Sequence, residues 1–307
     1  MASQKKLSCP RRGLTRRRRW RFLALLAGMF LGAWTLQRTE AGSTFFVPDA
    51  RLRVWVFDVG QGDAILVEAP TGERILVDAG PDTSLLPKLG SILPPWDRRI
   101  DLFVLTHPHM DHVGGALELL KRYKVGAILE TDVFSSDPFI DAFEAMVEKE
   151  GARRVFARGG QKIIFGDVHL DVVAPDQDLR GKKMENVNNA SVVLFLTYGQ
   201  TSVLLTGDAA FEEETDLFSD FSAPIDVLKV AHHGSVTSTS PRFLSVTRPS
   251  VAIISVGTEN DYGHPHPVTL ARLNDLGSKI LRTDFDGDVL IVSDGGEPKI
   301  RPRPLAF

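Results

Sequence analysis

Beyond residue 50, short apolar runs alternate with polar turns that are rich in glycine. Runs of strand length are separated by turns at Gly60-Gln61-Gly62 and Thr71-Gly72, which is the pattern of neighbouring strands. Other segments have apolar residues at helical spacing. The first half is predicted to contain strands at 53–59, 64–69, 74–79, 101–106 and 125–130, with helices at 114–123 and 138–151.

The second half repeats this order after three strands that are predicted to form a meander at 153–157, 161–166 and 168–175. A hairpin is followed by single helices that alternate with strands. These elements are strands at 191–199, 201–207, 223–231, 250–257, 279–283 and 288–294, and helices at 208–218, 241–247 and 267–277. Strand-rich blocks mixed with single helices predict an α+β fold, with two packed sheets and helices outside. We expect one domain at 51–296 and a loose, proline-rich tail at 297–307.

The first 50 residues have a different character. Residues 1–21 hold nine Lys or Arg and no acidic residue, and residues 22–37 carry no charge. Sixteen helical residues span about 24 Å, slightly less than a hydrocarbon core of about 30 Å. The segment at 22–37 can be a cleaved signal sequence or an uncleaved membrane anchor. A buried N-terminal helix is the third alternative. The first two direct the domain out of the cytoplasm, because the arginines stay inside. Residues 42–50 read as a linker.

Charge and cysteine content exclude some classes of site. Beyond residue 21 the chain has 27 basic and 39 acidic residues, a net charge of −12. A generally basic surface for nucleic acid is therefore excluded, although a local rim at Arg242, Arg248 and Arg272 stays open. Cys9 is the single cysteine, so neither an intramolecular disulfide nor a cysteine-based zinc site is possible.

Seven of the eight histidines fall in three clusters. In the first, His107 and His109 alternate along an extended segment and can bind one cation. Asp111 and His112 follow at the turn into a helix and can bind a second one. Imidazole and carboxylate ligands without thiolate suit zinc, iron or manganese.

Two further segments complete this candidate site. Asp208 directly follows a buried strand, where a carboxylate needs a partner. It is interpreted as the bridge between two cations, with a helix N-cap as the alternative. Of the adjacent His232 and His233, one is expected to bind metal and the other to face substrate, unless either is merely packed. In the loop Gly263–Pro267, prolines stiffen the backbone, and His264 is expected to contact substrate or transfer a proton. His169 reads as an exposed strand residue.

The order of these motifs resembles the metallo-β-lactamase superfamily: Asp78 after a strand, T-H-P-H-M-D-H-V-G-G at 106–115, T-G-D at 206–208 and H-H-G-S at 232–235. Segments 57–64, 188–194, 228–235 and 263–267 are similar to the C-terminal hydrolase domain of ComEC-type DNA-uptake competence proteins. Such proteins have many membrane spans before this domain, whereas here one at most is expected, so this chain is not expected to be a channel.

The resemblance implies a four-layer αβ/βα sandwich and a role for each site residue. Metal ligands would be His107, His109, Asp111, His112, Asp208 and His233. Asp78 and Asp63 would support the ligand loops. Substrate would meet His264, His266, Asn188, Asn189 and Ser235. Asn188 and Asn189 occupy the stretch where the superfamily usually has a third-motif histidine.

The expected activity is metal-dependent hydrolysis of a phosphodiester, possibly DNA, outside the cytoplasm. A hydroxide bridged by two divalent ions, Zn²⁺ or Mn²⁺, would attack phosphorus, with Asp111, His232 and His264 as catalytic residues. The alternatives are hydrolysis of another ester (a phosphorylcholine ester, a lactone or a β-lactam) and a non-catalytic metal-containing binding module at the membrane. Contact with a membrane would run through the N-terminal segment if it is uncleaved. No obligate protein partner is evident.

Overall fold

The computed structural model describes residues 50–212, 214 and 224–303. The predicted leader, the apolar segment at 22–37 and most of the linker at 42–50 lie outside the described residues, as do residues 213 and 215–218 of the helix predicted at 208–218. Across the described ranges, no helix has both the length and the apolar character that crossing a bilayer requires.

Fifteen strands of the described residues form two sheets. They are β1 (Leu52–Val56), β2 (Ile65–Glu68), β3 (Arg74–Val77), β4 (Arg99–Val104), β5 (Lys124–Glu130), β6 (Arg153–Phe156), β7 (Lys162–Phe165), β8 (Val168–Ala174), β9 (Val193–Tyr198), β10 (Thr201–Leu205), β11 (Val227–Lys229), β12 (Val251–Ile254), β13 (Lys279–Arg282), β14 (Asp288–Ser293) and β15 (Lys299–Arg303). The first sheet has the order β15-β14-β1-β2-β3-β4-β5-β6, and the second has the order β13-β12-β11-β10-β9-β8-β7.

The two sheets share a topology, as the repeated sequence pattern predicts. In the first, β1 to β3 pair antiparallel and β3 to β6 pair parallel. In the second, β7 to β10 pair antiparallel and β10 to β13 pair parallel. Parallel strands place their carboxyl ends at one edge of a sheet, where loops can meet.

Helices cover the outer face of each sheet. They are α1 (Leu85–Ile92), α2 (Met110–Val113), α3 (Ala116–Arg122), α4 (Pro138–Glu150), α5 (Pro241–Thr247), α6 (Pro267–Leu276) and α7 (Thr283–Asp286). One buried cluster joins the facing sides of the two sheets, and includes Val67 of β2 and Leu194 of β9. A second packs α1, α3 and α4 on the first sheet, and a third packs α5 and α6 on the second. The predicted four-layer αβ/βα sandwich is therefore confirmed.

Burial on both faces explains why the strands read as apolar runs. All four residues of β3 are buried, as are all three of β11, as expected of sheets covered on both sides. The four edge strands instead begin with Lys or Arg: R-R-V-F, K-I-I-F, K-I-L-R and K-I-R-P-R. Charged side chains on an edge oppose pairing with other chains.

Two expectations about connectivity are wrong. The strands at 153–157, 161–166 and 168–175 do not form one meander, because β6 pairs parallel with β5 in the first sheet while β7 and β8 belong to the second. The tail is not loose throughout, because β15 pairs with β14. Ile300 packs against the core between the sheets, and Pro302 is tolerated because β15 is an edge strand.

Candidate metal centre

The candidate ligands lie where strands of both sheets end. Asp78 follows β3, and His107 follows β4 after Thr106. Asp208 follows β10, and the histidine pair follows β11. The two sheets present these ends to each other, so loops that are more than a hundred residues apart in the chain meet at one edge.

Four side chains form a compact group: Asp111, His112, Asp208 and His233 each offer a ligand atom, and these atoms all lie within 4.8 Å of one another. His233 Nε2 is 3.1 Å from Asp111 Oδ2 and 3.6 Å from Asp208 Oδ2. His112 Nε2 is 3.4 Å from Asp208 Oδ1. The imidazoles and both carboxylates therefore converge around one small volume.

His107 and His109 lie beside this group, and the His107 ring centroid is 4.2 Å from that of His112. His107 Nε2 is 3.0 Å from His109 Nδ1 and 3.9 Å from Asp208 Oδ2. Asp208 thus has histidines of both subsets around it, which is the position that a bridging carboxylate needs. All six predicted metal ligands meet at this place.

Asp78 supports the loop that carries the first histidine cluster. Its two oxygens accept hydrogen bonds from the backbone N–H of Thr106 at 2.8 Å and from the Thr106 hydroxyl at 2.7 Å. Asp78 Oδ2 also lies 2.8 Å from His112 Nδ1. A carboxylate on the far nitrogen of an imidazole fixes the ring so that the other nitrogen faces the metal position.

The backbone of the second histidine pair adopts an uncommon conformation. His232 and His233 both have left-handed backbone angles, with φ of 51° and 53°, a region that side chains other than glycine rarely occupy. The turn is secured by His233 Nδ1, which donates to the backbone oxygen of Ser255 at 3.0 Å. Strain of this kind concentrates at functional sites, and here it makes adjacent rings diverge, with His233 buried and His232 half-buried.

Several buried polar atoms in this group have no hydrogen-bond partner, and they test whether the residues fit a metal. His112 Nε2, Asp208 Oδ1 and Asn188 Oδ1 are buried without one. Such atoms are expensive to bury unless they bind an ion or another partner. Their chemistry, imidazole nitrogen with carboxylate and amide oxygen, suits a divalent metal of the zinc or manganese type. The group therefore fits a metal site.

The charges within the cluster also indicate a site for a cation. Burial alone would lower the pKa of His112, but Asp208 and Asp78 raise it well above its usual value. Burial likewise opposes the ionised form of Asp208, yet His233 and His112 hold the pKa of Asp208 well below its usual range. Asp208 therefore remains ionised and attracts positive charge.

The pKa values of the two histidines at the border of the group are lowered instead of raised. Burial lowers the pKa of His232. Burial, together with the rings of His232 and His233, lowers the pKa of His264 to about 4. His232 and His264 are therefore neutral near pH 7, and each can donate one N–H hydrogen bond or accept a proton.

Two glycines allow the close packing of this region. A Cβ at Gly62, where φ is +144°, would lie 2.2 Å from the backbone oxygen of Asp111. A Cβ at Gly114 would lie 1.9 Å from the backbone oxygen of Pro81. The backbone N–H of Asp63 donates to that same Asp111 oxygen at 3.2 Å. The G-Q-G-D turn thus holds the Asp111 backbone in place.

Sequence reasoning missed two residues that support the cluster. Lys229 is 1% exposed, and its Nζ lies 2.6 Å from Asp63 Oδ2. Nothing in the apolar pattern of β11 distinguishes this lysine from a strand residue at the surface. Ser191 accepts a hydrogen bond at its Oγ from the backbone N–H of Asp208 at 3.1 Å, and its position in N-N-A-S was the available signal.

The predicted substrate residues are only partly brought together. Asn188 Nδ2 lies 3.4 Å from both ring nitrogens of His232, and His264 lines the same cavity as the metal cluster. Asn188, Asn189, His266 and Ser235 do not line it. His266 is the N-cap of α6 and accepts from the backbone N–H of Val268, and the Ser235 hydroxyl lies 3.0 Å from that of Thr237.

A cavity of about 610 Å³ opens over the cluster. Its lining includes Gln61, Met110, Tyr262 and His264 together with candidate ligands. Of the residues that the structure describes, no lysine or arginine lines it, so the rim considered at Arg242, Arg248 and Arg272 is not at this opening. Arg272 instead donates to the backbone oxygens of Ser238 and Thr239.

Comparison with known proteins identifies related sequences. The model of the metallo-beta-lactamase superfamily matches residues 57–258. ComE operon protein 3 of Bacillus subtilis is 33% identical over 252 residues, which cover 76% of this chain and 32% of that protein. Recombination protein 2 of Haemophilus influenzae is 33% identical over 245 residues, covering 78% of this chain and 28% of that protein. The chain thus spans about a third of the length of these relatives.

Solved structures agree on the fold. The metallo-beta-lactamase fold protein YhfI from Bacillus subtilis superposes with a TM-score of 0.56 at 15% identity, covering 79% of this chain and 99% of that one. At this identity the match concerns architecture alone. The arrangement of two sheets and outer helices is therefore an established one.

Proposed function

This chain belongs to the metallo-β-lactamase superfamily and has the fold of a metal-dependent hydrolase, and on this premise we propose that it cleaves phosphodiester bonds outside the cytoplasm, with DNA as the first candidate substrate. The observation that carries the proposal is the convergence of Asp111, His112, Asp208 and His233 within 4.8 Å. The similarity to Recombination protein 2 of Haemophilus influenzae, whose name refers to recombination, supports DNA. The basic leader followed by an uncharged segment at 22–37 supports export.

The residues would divide between two divalent ions. Asp111, His112 and His233 would hold one, His107 and His109 the other, and Asp208 would serve both. The unpartnered Asn188 Oδ1 would complete the second set in place of a histidine. At such a site, divalent metal chemistry activates water near neutral pH and offsets the charge that develops on phosphoryl oxygens.

The protein's own side chains would orient the substrate. His232 and His264 are neutral near pH 7, so each would donate an N–H hydrogen bond to a phosphoryl or leaving oxygen. Asp78 and Thr106 would keep His112 in one ring orientation throughout the reaction. Asp111 Oδ2 lies 3.1 Å from His233 Nε2, so both groups would face the same ion once that ring has lost its proton.

The test is an assay of the full chain, reloaded with Zn²⁺ or Mn²⁺, on bis-p-nitrophenyl phosphate, single-stranded DNA and nitrocefin. We expect turnover of the two phosphodiesters and its loss in Asp111→Ala and His233→Ala. His169→Ala removes an exposed histidine from β8 and should retain activity. Turnover of nitrocefin alone would replace the proposal with β-lactam hydrolysis. Metal binding without turnover of any ester would replace it with a binding module.

The location needs a separate test. Mass spectrometry of the mature N-terminus and fractionation of cells should place the domain outside the cytoplasm, and a start at Gly42 would indicate a cleaved signal. Recovery of the intact chain in the soluble cytoplasmic fraction would contradict export.

A further inference from the structure

An aromatic ring stands exposed at the mouth of the cavity over the metal cluster. The Tyr262 side chain is 72% exposed, and its ring is stacked on that of His264, with centroids 5.8 Å apart and planes inclined by 22°. The His264 ring lies 6.4 Å from that of His233. The rings of Tyr262, His264 and His233 therefore form a series from the exposed phenol to a candidate metal ligand.

The side chains of Asn260 and Gln61 fix the loop that carries Tyr262. Asn260 Nδ2 donates to the backbone oxygens of Gly257 at 2.9 Å and His264 at 2.8 Å, and Asn260 Oδ1 accepts from the backbone N–H of His264 at 2.9 Å. Gly257 is also held by Gln61, whose Oε1 accepts its N–H at 3.2 Å. The backbone on both sides of Tyr262 is thus held in place, which reduces the entropy lost when a ligand stacks on the ring.

An exposed aromatic ring in this position can stack on the base of a nucleotide. Stacking of a base on an aromatic side chain contributes about 1–3 kcal/mol and tolerates any sequence, since every base has a flat face. The cavity of about 610 Å³ lies in the size range of sites for small organic ligands, so it has room for more than a phosphate group. A base in a duplex is already stacked on its neighbours and is not free to lie on Tyr262.

We propose that Tyr262 is a base-stacking residue that selects an unpaired nucleotide for cleavage at the metal cluster. This inference rests on the proposed phosphodiesterase function and adds its substrate class: single-stranded DNA or a frayed end, rather than an intact duplex. His264 serves as the inner surface of the platform, and the outer face of Tyr262 receives the base.

The experiment compares Tyr262→Ala and Tyr262→Phe with the wild type, using the full chain. The readouts are the dissociation constant of a fluorescent single-stranded oligonucleotide, measured on metal-free protein, and KM for its cleavage after reloading. Tyr262→Ala should weaken both by about 5- to 150-fold, which corresponds to the stacking energy above. Tyr262→Phe should stay within about threefold of the wild type, because the ring rather than the hydroxyl is used.

A substrate that lacks the base gives the specific control. An oligonucleotide with an abasic site next to the scissile phosphate should weaken wild-type binding by a similar factor, and the difference between wild type and Tyr262→Ala should then shrink. Trp96 is 86% exposed and lies just before the first residue of β4, whereas the metal cluster follows the last residue of that strand. Trp96→Ala is therefore the matched control and should behave as wild type.

The possible failures can be told apart. Equal losses in Tyr262→Phe and Tyr262→Ala, no loss in either, or equal cleavage of a blunt duplex would overturn the stacking role while leaving the phosphodiesterase in place. A wild-type protein that cleaves no phosphodiester at all would overturn the proposed function itself.

Discussion

Lys229 and Asp63 form a buried ion pair, with Nζ 2.6 Å from Oδ2, although 166 residues separate them in the chain. Both side chains are almost completely buried. The other oxygen, Asp63 Oδ1, lies 3.7 Å from His233 Nδ1 and has no hydrogen-bond partner. The pair thus connects the G-Q-G-D turn of the first sheet to the histidine turn of the second, directly behind a candidate ligand.

Removal of the lysine should destabilise the fold. Lys229→Met leaves the Asp63 carboxylate buried without its partner, and breaking a buried pair costs about 3–5 kcal/mol. Urea unfolding of the metal-free protein measures this loss. Wild-type stability of Lys229→Met would mean that the pair has no structural role.

The double variant Lys229→Met/Asp63→Leu separates stability from metal binding. It should regain most of the stability, because no uncompensated charge remains, while affinity for Zn²⁺ should stay about 10- to 100-fold below wild type, as when other supporting partners are removed. Lys88→Met, which breaks a pair with Asp288, is the control and should leave zinc affinity unchanged. Wild-type zinc affinity in the double variant would show that Asp63 does not position His233.

Two glycine substitutions should have opposite effects on stability. Gly114 has ordinary helical angles, but a Cβ there would meet the Pro81 oxygen, so Gly114→Ala should destabilise by about 1–3 kcal/mol or more. Gly90 lies in α1 with nothing within 4 Å of an added Cβ, so Gly90→Ala should stabilise by roughly 0.5–1 kcal/mol. Denaturation midpoints test both, and equal shifts of the same sign would contradict the packing described.

Glu130 should give the stability of the fold a pH dependence. Burial raises the pKa of Glu130, and Arg154, whose Nε lies 2.7 Å from Oε1, opposes the rise. A raised pKa in the folded state means that the fold binds the proton more tightly, so stability falls as pH rises from the unfolded value through the folded one.

Arg154→Met should therefore raise that pKa further and destabilise the protein more at pH 7 than at pH 5. Unfolding free energies at the two pH values measure the difference. Lys162→Met removes an exposed pair with Asp171 and should change stability by less than about 1 kcal/mol at both. An effect of Arg154→Met that is independent of pH would contradict the role given to Glu130.

Metal binding should release protons. The pKa of His112 lies well above its usual value, and that of His233 is raised by Asp208 and Asp111 against the effect of burial. Both rings must lose a proton before they can act as ligands, so zinc affinity should increase between pH 6 and pH 8. Calorimetric titration in buffers of different ionisation enthalpy measures the protons released, and a value of zero would contradict this account.

The apolar pattern predicted most elements because both faces of each sheet are covered. The helix predicted at 241–247 matches α5, where Ser240 caps the N-terminus and Pro241 begins the helix. In contrast, α1 was not predicted, since Pro87 and Gly90 lie within it and both residues disfavour helix interiors. Local patterns also do not specify which sheet a strand joins, which is why β6 was assigned to the wrong partners.

The sequence predicts those site residues that lie in dense motifs of histidine and aspartate. Histidines and acids at strand ends indicated the ligand positions, and the structure brings those residues together. Lys229 could not be found in this way, because its role depends on a contact with Asp63 across the two sheets. For His266, the sequence shows a histidine beside prolines, whereas the structure shows that its ring caps a helix.

The metal content of the folded protein tests the proposed metal centre most directly. Elemental analysis after equilibration with Zn²⁺ or Mn²⁺ and removal of excess metal should find two ions per chain in the wild type and in His169→Ala. Asp208→Ala, with its fold verified by circular dichroism, should retain fewer than one. A wild type that holds no metal, or an Asp208→Ala variant that keeps both ions, would contradict the claim that these loops converge to form a metal centre.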